Sequence, residues 1–113
     1  MFNKCEKLVT LKVSNAFKTS NADDMSFMFS GCSSLMELNL ETFTTEGVTT
    51  MESMFDSCTN LQLLDLSKFD TGNCQNFDNM FNNANKNMTV IVSQTTGKKM
   101  GEAIAKDVIV VYQ

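Results

Sequence analysis

Histidine is missing from all 113 residues, and with it the side chain that most readily moves protons near neutral pH. No G-x-S-x-G, Walker or H-E-x-x-H pattern occurs either. We therefore expect no catalytic residue, and not an enzyme. Charge is sparse: 19% of the residues are Asp, Glu, Lys or Arg, and the net charge is −4. Without a basic stripe to follow a phosphate backbone, nucleic acid is not an expected partner. No apolar run approaches the roughly 20 residues of a membrane-spanning helix. The N-terminus carries no signal-peptide pattern, but the chain opens inside a repeat, so a leader upstream is the expectation. At this length we expect a single domain, able to bury about two-thirds of its unfolded surface.

What is present is a phrase written several times. "MFSGCSSLMELNL" at 28–40 returns as "MFDSCTNLQLLDL" at 54–66, so Met28, Phe29, Cys32, Leu35, Leu38 and Leu40 reappear 26 positions later. A copy at the start supplies Met1, Phe2, Cys5, Leu8, Leu11 and Val13, offset by 27. A partial fourth copy begins at Met80 and Phe81, puts Ala84 where the cysteines stood, and keeps Val90 and Val92 for the leucines. Residues 1–92 are thus three full repeats and part of a fourth, starting at Met1, Met28, Met54 and Met80, and 93–113 are a different kind of segment.

Two periodicities alternate within each repeat. "LMELNL" and "LQLLDL" end in the period of a short strand. Val48, Met51, Met54, Phe55 and Cys58 follow helical spacing, as do Cys74, Phe77, Met80, Phe81 and Ala84. The spacing predicts one strand, one turn and one short helix per repeat, with Asn21 or Asp23 capping the first helix, Thr45 or its successors the second, and Gly31 left-handed at a helix exit. No such unit can bury its apolar side alone. Stacking yields an α/β right-handed solenoid with parallel strands near 8–13, 35–40, 61–66, 88–92 and 108–112. "TTGKKMGEAIAK" and "VIVVYQ" then predict a C-terminal capping helix, with Met100, Ala103 and Ile104 on one face, and a capping strand.

"LxxLxL" is the strand signature of leucine-rich repeats. Its continuation, "LxxLDLSKFDTGNCQNFDNMFNNA", and the preceding "DMSFMFSGCSSL" resemble the BspA-like leucine-rich repeats of bacterial surface proteins and mycoplasma-type lipoproteins, from residue 1 to about residue 92. Cys74 and Phe77 depart from the valine and methionine of that phrase, and the fourth copy loses its Cys and its Phe-x-Thr. The resemblance implies a leucine-rich-repeat-like fold and an exported or cell-surface protein used in adhesion or host contact. It implies no catalytic residues.

Most conspicuous residues read as ladders of stacked equivalents. Phe2, Phe29, Phe55 and Phe81 make one, and Phe17, Phe43 and Phe69 another. Cys5, Cys32 and Cys58 make a third, while Cys74 stacks with Ala22 and Val48. No two cysteines stand at C-x-x-C spacing, so zinc is not expected, and small buried thiols are the simpler reading. Spacing alone leaves a disulfide between stacked neighbours open. Thr19, Thr45 and Thr71 read as hydrogen-bonding the turns, with a surface hydroxyl row as the other reading. Asp23, Asp24, Asp56, Asp65, Asp70 and Asp78 match no calcium-loop spacing and read as solvated faces and helix starts. No metal and no cofactor is expected.

Between the inward leucines, the strands turn Thr10 and Lys12, Glu37 and Asn39, Leu63 and Asp65, and Thr89 and Ile91 outwards. This row is the candidate binding face for a protein ligand, and a plain solvated face is the alternative. Two functions follow: an adhesion module, or a structural spacer or cap of a longer array with no ligand of its own. The open N-terminal coil is a further candidate for self-association.

Overall fold

A computed structural model describes residues 4, 6, 7, 9–12 and 22–113. Phe2, Cys5, Phe17, Thr19, Asn21 and the N-terminal coil proposed for self-association lie outside them, as do the side chains of Thr10 and Lys12. The fold is a small mixed α/β arrangement. It runs β1 (Thr10–Lys12), β2 (Glu37–Asn39), β3 (Leu63–Leu66), β4 (Thr89–Val92), α1 (Lys98–Ile104) and β5 (Ile109–Tyr112).

Every strand pair is parallel, as the stacking of equivalents requires. Leu11 faces Leu38, Leu64 faces Val90, and Val90 faces Val110 in register. Alternation sorts the side chains: Leu64, Leu66, Val90 and Val92 are buried, and Leu63 and Asp65 are exposed. The expected single sheet is nevertheless divided, with β1–β2 forming one pair and β3–β4–β5 a three-stranded sheet. The entry to β2 also differs from the entries to the later strands. The N–H groups of Met36 and Glu37 both donate to the Val9 carbonyl, at 2.7 and 3.3 Å. At the start of β4 and of β5 only one N–H reaches across, Thr89 to Gln62 and Ile109 to Met88. The Met36 N–H is thus an additional donor to β1.

The expected helices over 48–58 and 74–84 do not form, and α1 is the one α-helix among the described residues. Left-handed residues interrupt both segments and the segment before them. Phe27 (φ 60°), Ser53 (55°) and Asn79 (58°) occupy one repeat position, and Gly31 (78°), Ser57 (63°) and Asn83 (61°) another. Gly31 is left-handed as expected, though at a turn. A helix would spend its N–H groups on its own carbonyls. Here the N–H groups of Met25, Phe27, Phe29 and Gly31 donate to Thr50, Glu52, Met54 and Asp56 of the next repeat, at 2.8–3.0 Å. Met51, Ser53, Phe55 and Ser57 do the same to Asn76, Asp78, Met80 and Asn82. Intervening groups close turns on themselves, Met54 to Met51 and Cys58 to Phe55, each at 3.2 Å. Stacked turns of three or four residues bury side chains at the spacing a helix would.

These segments start at an oxygen two residues ahead of the accepted N–H, one position beyond the expected Asp23 and, in the second, at Thr50 among the residues that follow Thr45. Asp24 Oδ1 accepts from the Ser26 N–H at 2.8 Å, Thr50 Oγ1 from Glu52 at 3.3 Å, and Asn76 Oδ1 from Asp78 at 2.9 Å. Such local bonds favour turns over helix.

The ladders form the core. The rings of Phe29 and Phe55 stack with centroids 5.5 Å apart, Phe55 and Phe81 at 5.1 Å, and Phe43 and Phe69 at 6.4 Å. Cys32, Cys58 and Cys74 are buried, and the disulfide left open by their spacing does not form among them. Thr45 and Thr71 are buried, which removes the reading of a surface hydroxyl row for these two. The Thr45 hydroxyl donates to the Asp70 carbonyl at 3.0 Å, and Thr71 to that of Thr96 at 2.9 Å. Residue 96 lies 26 beyond Asp70, so bonds between positions one repeat apart continue past Val92, where the apolar pattern stops.

Helix α1 then covers the end, burying Met100 and Ile104. Gly101 joins them and the expected Ala103 is exposed. The reason is close approach: a Cβ at Gly101 would stand 2.9 Å from the Tyr112 hydroxyl, so only glycine leaves that ring room as placed.

Candidate binding cleft on the outer sheet face

The division between β2 and β3 leaves a cleft of about 650 Å³ on the outer face. It is held at both ends by bonds that keep the two repeats stacked. Before the strands, the Asn60 side-chain amide donates to the Ser33 carbonyl at 2.8 Å. After them, the Asp70 N–H donates to Thr45 Oγ1 at 2.8 Å. The parting is therefore local to the strands, where no hydrogen-bonded ladder joins β2 to β3.

Four residues of the expected outward row line this cleft: Glu37, Asn39, Leu63 and Asp65. Leu63 is 59% exposed and Met36, beside it across the gap, 56%. Two of the four also have local structural roles. Asn39 Oδ1 accepts from the Glu41 N–H at 3.0 Å and Asp65 Oδ1 from Ser67 at 2.9 Å, so each closes the turn that ends its strand. Thr89 and Ile91 lie outside the cleft on β4, half-exposed, and Thr10 and Lys12 lie on β1.

Sequence reasoning missed Met36, Gln62, Glu41 and Lys68, which also line the cleft. Met36 and Gln62 are the first "x" of "LxxLxL", a position the alternation of the strand proper does not reach. Glu41 and Lys68 follow the turns made by Asn39 and Asp65. Three carboxylates, Glu37, Glu41 and Asp65, and one ammonium, Lys68, line this space, so its field is negative.

Nothing in this arrangement sets up a nucleophile beside a base. Among the described residues, no group of three or more Cys, Asp or Glu could hold a metal ion. Cys58, under the cleft's repeat, has its thiol pushed up to about 12, first by burial and then by the neighbouring Cys32. No helix among the described residues is long and apolar enough to cross a membrane.

The comparisons with known proteins bear on the whole chain. A family model described as "Mycoplasma protein of unknown function, DUF285" matches residues 1–103, past the last repeat and into α1. No curated protein and no solved structure matches.

Proposed function

From the premise that the chain belongs to this DUF285 family, we propose that it is a non-catalytic, leucine-rich-repeat-like module of a cell surface that docks a protein partner on the outer face of its sheet. The observation that carries the reading is the β2–β3 cleft, where polar, charged and exposed apolar side chains converge on strand edges with no ladder between them. Binding sites are commonly concave, with a few placed polar groups among apolar ones. The BspA-like resemblance supports a surface location and adhesion.

The solenoid reading is part of the proposal. It is supported by parallel strands in register and by backbone bonds between residues one repeat apart, and the right hand follows from the near-universal hand of parallel crossovers. Solenoids use such faces because the ladders hold the coil while the outward residues vary.

A second reading is favoured by α1 and β5, which cover the β4 end with Met100 and Ile104. On that reading the chain is the spacer or cap of a longer array and has no ligand. The deciding experiment is capture of host-matrix proteins by this chain and by an array carrying added upstream repeats. Capture by both, lost on Leu63→Lys, supports docking at the cleft. Capture by the array alone establishes the spacer or cap.

A further inference from the structure

We infer that the β2–β3 cleft receives the cationic side chain, arginine or lysine, of an extended segment of the protein partner, whose next apolar side chain lies across β4 and β5. The inference rests on the docking reading above and names the partner's chemistry.

Charge complementarity sets the first part. Glu37, Glu41 and Asp65 outnumber Lys68 around the cleft, so a cation entering it relieves their mutual repulsion. The walls suit a long aliphatic stem as well as a charged head. Met36 and Leu63 are 56% and 59% exposed, and arginine and lysine lay their methylenes along such surface while the charged end reaches polar groups.

Register sets the second part. Leu63 aligns with Thr89 and Ile109, and Asp65 with Ile91 and Val111. The outer face thus runs from the charged cleft onto an apolar strip at Ile91, Ile109 and Val111, of which Ile109 is 51% and Val111 45% exposed. A free small cation would leave that strip bare, whereas a polypeptide can cover both. From the cleft between β2 and β3 to β5 is about two and a half strand spacings, roughly 12 Å, and of the residues of an extended chain that share one face, those four apart span about 13 Å. The recognised pattern is therefore a basic residue followed, four positions on, by an apolar one on the same face of the extended segment.

The test is titration of the whole chain, followed by nitrogen-edited NMR, with a blocked Gly/Ser peptide carrying arginine and leucine at that spacing. Matched peptides replace arginine with citrulline or leucine with serine. We expect saturable shifts confined to β2–β5, weakened by salt. We expect affinity to fall about tenfold for a Glu37→Gln, Glu41→Gln, Asp65→Asn variant. Asn at 65 keeps an oxygen for the Ser67 N–H, and Glu37→Gln with Glu41→Gln alone, both exposed, serves if the triple variant melts early. Equal affinity of the citrulline peptide or of the variants overturns the cationic assignment and leaves docking standing. Shifts spread over acidic residues away from the cleft also overturn it. Failure of matrix capture by wild type and array alike brings down the docking reading itself.

Discussion

The thiol of Cys58 donates to the backbone carbonyl of Phe29, one repeat earlier, with sulfur and oxygen 3.1 Å apart. That contact ties the cysteine ladder to the phenylalanine ladder inside the core. Burial, and then Cys32 beside it, keep the thiol protonated by pushing its pKa from 9.0 to about 12. In native protein Cys32 and Cys58 should react slowly with a thiol reagent, and quickly once denatured. The pH dependence has a definite sign. Between about 9 and 12 the unfolded chain gives up this proton while the folded chain retains it, so stability is full below 9 and is lost as pH rises towards 12. Cys58→Ala, which copies Ala84 of the next repeat, should flatten that loss in urea melts run across the window. An unchanged slope would locate the alkaline loss elsewhere.

Phe55 has a stacked ring on each side, Phe29 at 5.5 Å and Phe81 at 5.1 Å. Truncating a buried phenylalanine costs about 3–5 kcal/mol, a large share of what holds a small domain together. Phe55→Ala should therefore leave the chain unfolded or close to it. A milder double-mutant cycle with leucine at 55 and 81 should return a coupling of about 0.5–1.5 kcal/mol for the ring pair. Additive denaturant midpoints would reduce the stack to area burial.

Thr45 is 2% exposed, and its hydroxyl both donates to the Asp70 carbonyl and accepts from the Asp70 N–H. Valine has the same shape and neither capacity. Thr45→Val should cost about 1–3 kcal/mol by stranding both groups, and Thr45→Ser distinctly less. Hydrogen exchange at Asp70 should rise selectively in the valine variant. If serine and valine cost the same, the methyl group carries the effect.

The strands were legible because period-two alternation and a fixed repeat leave one register for Leu64 and Leu66 against Val90 and Val92. The turn segments misled for a physical reason. Their buried residues share helical spacing, while the left-handed position that breaks the helix is filled by Phe27, Ser53 and Asn79, which have no common chemistry. Half the cleft's charged residues, Glu37 and Asp65 but not Glu41 and Lys68, could be read from the outward alternation. Its existence could not, since it depends on a ladder that does not form between β2 and β3, and "LMELNL" differs from "LQLLDL" in no way that signals it.

Phe27 supplies the sharpest test of the stacked turns. Its φ of 60° is left-handed, where an L-residue with a bulky side chain is strained by roughly 1–2 kcal/mol. The ring recovers only part of this, because the residue is 45% exposed. Asparagine tolerates the same backbone and already stands at the equivalent position, Asn79, at 58°. Phe27→Asn should accordingly stabilise the chain, by about 0.5–1 kcal/mol. Phe27→Gly should gain less, since glycine also enlarges the freedom of the unfolded chain. Phe27→Val should lose stability, its branched Cβ being worst suited to positive φ. None of the three removes the N–H that donates to the Glu52 carbonyl at 2.9 Å, so the bond between repeats is kept and the backbone preference is read alone. The order asparagine, glycine, phenylalanine, valine in urea midpoints is the expected result. Valine equal to asparagine would mean residue 27 is not left-handed in solution, and would reopen the helical reading of its repeat.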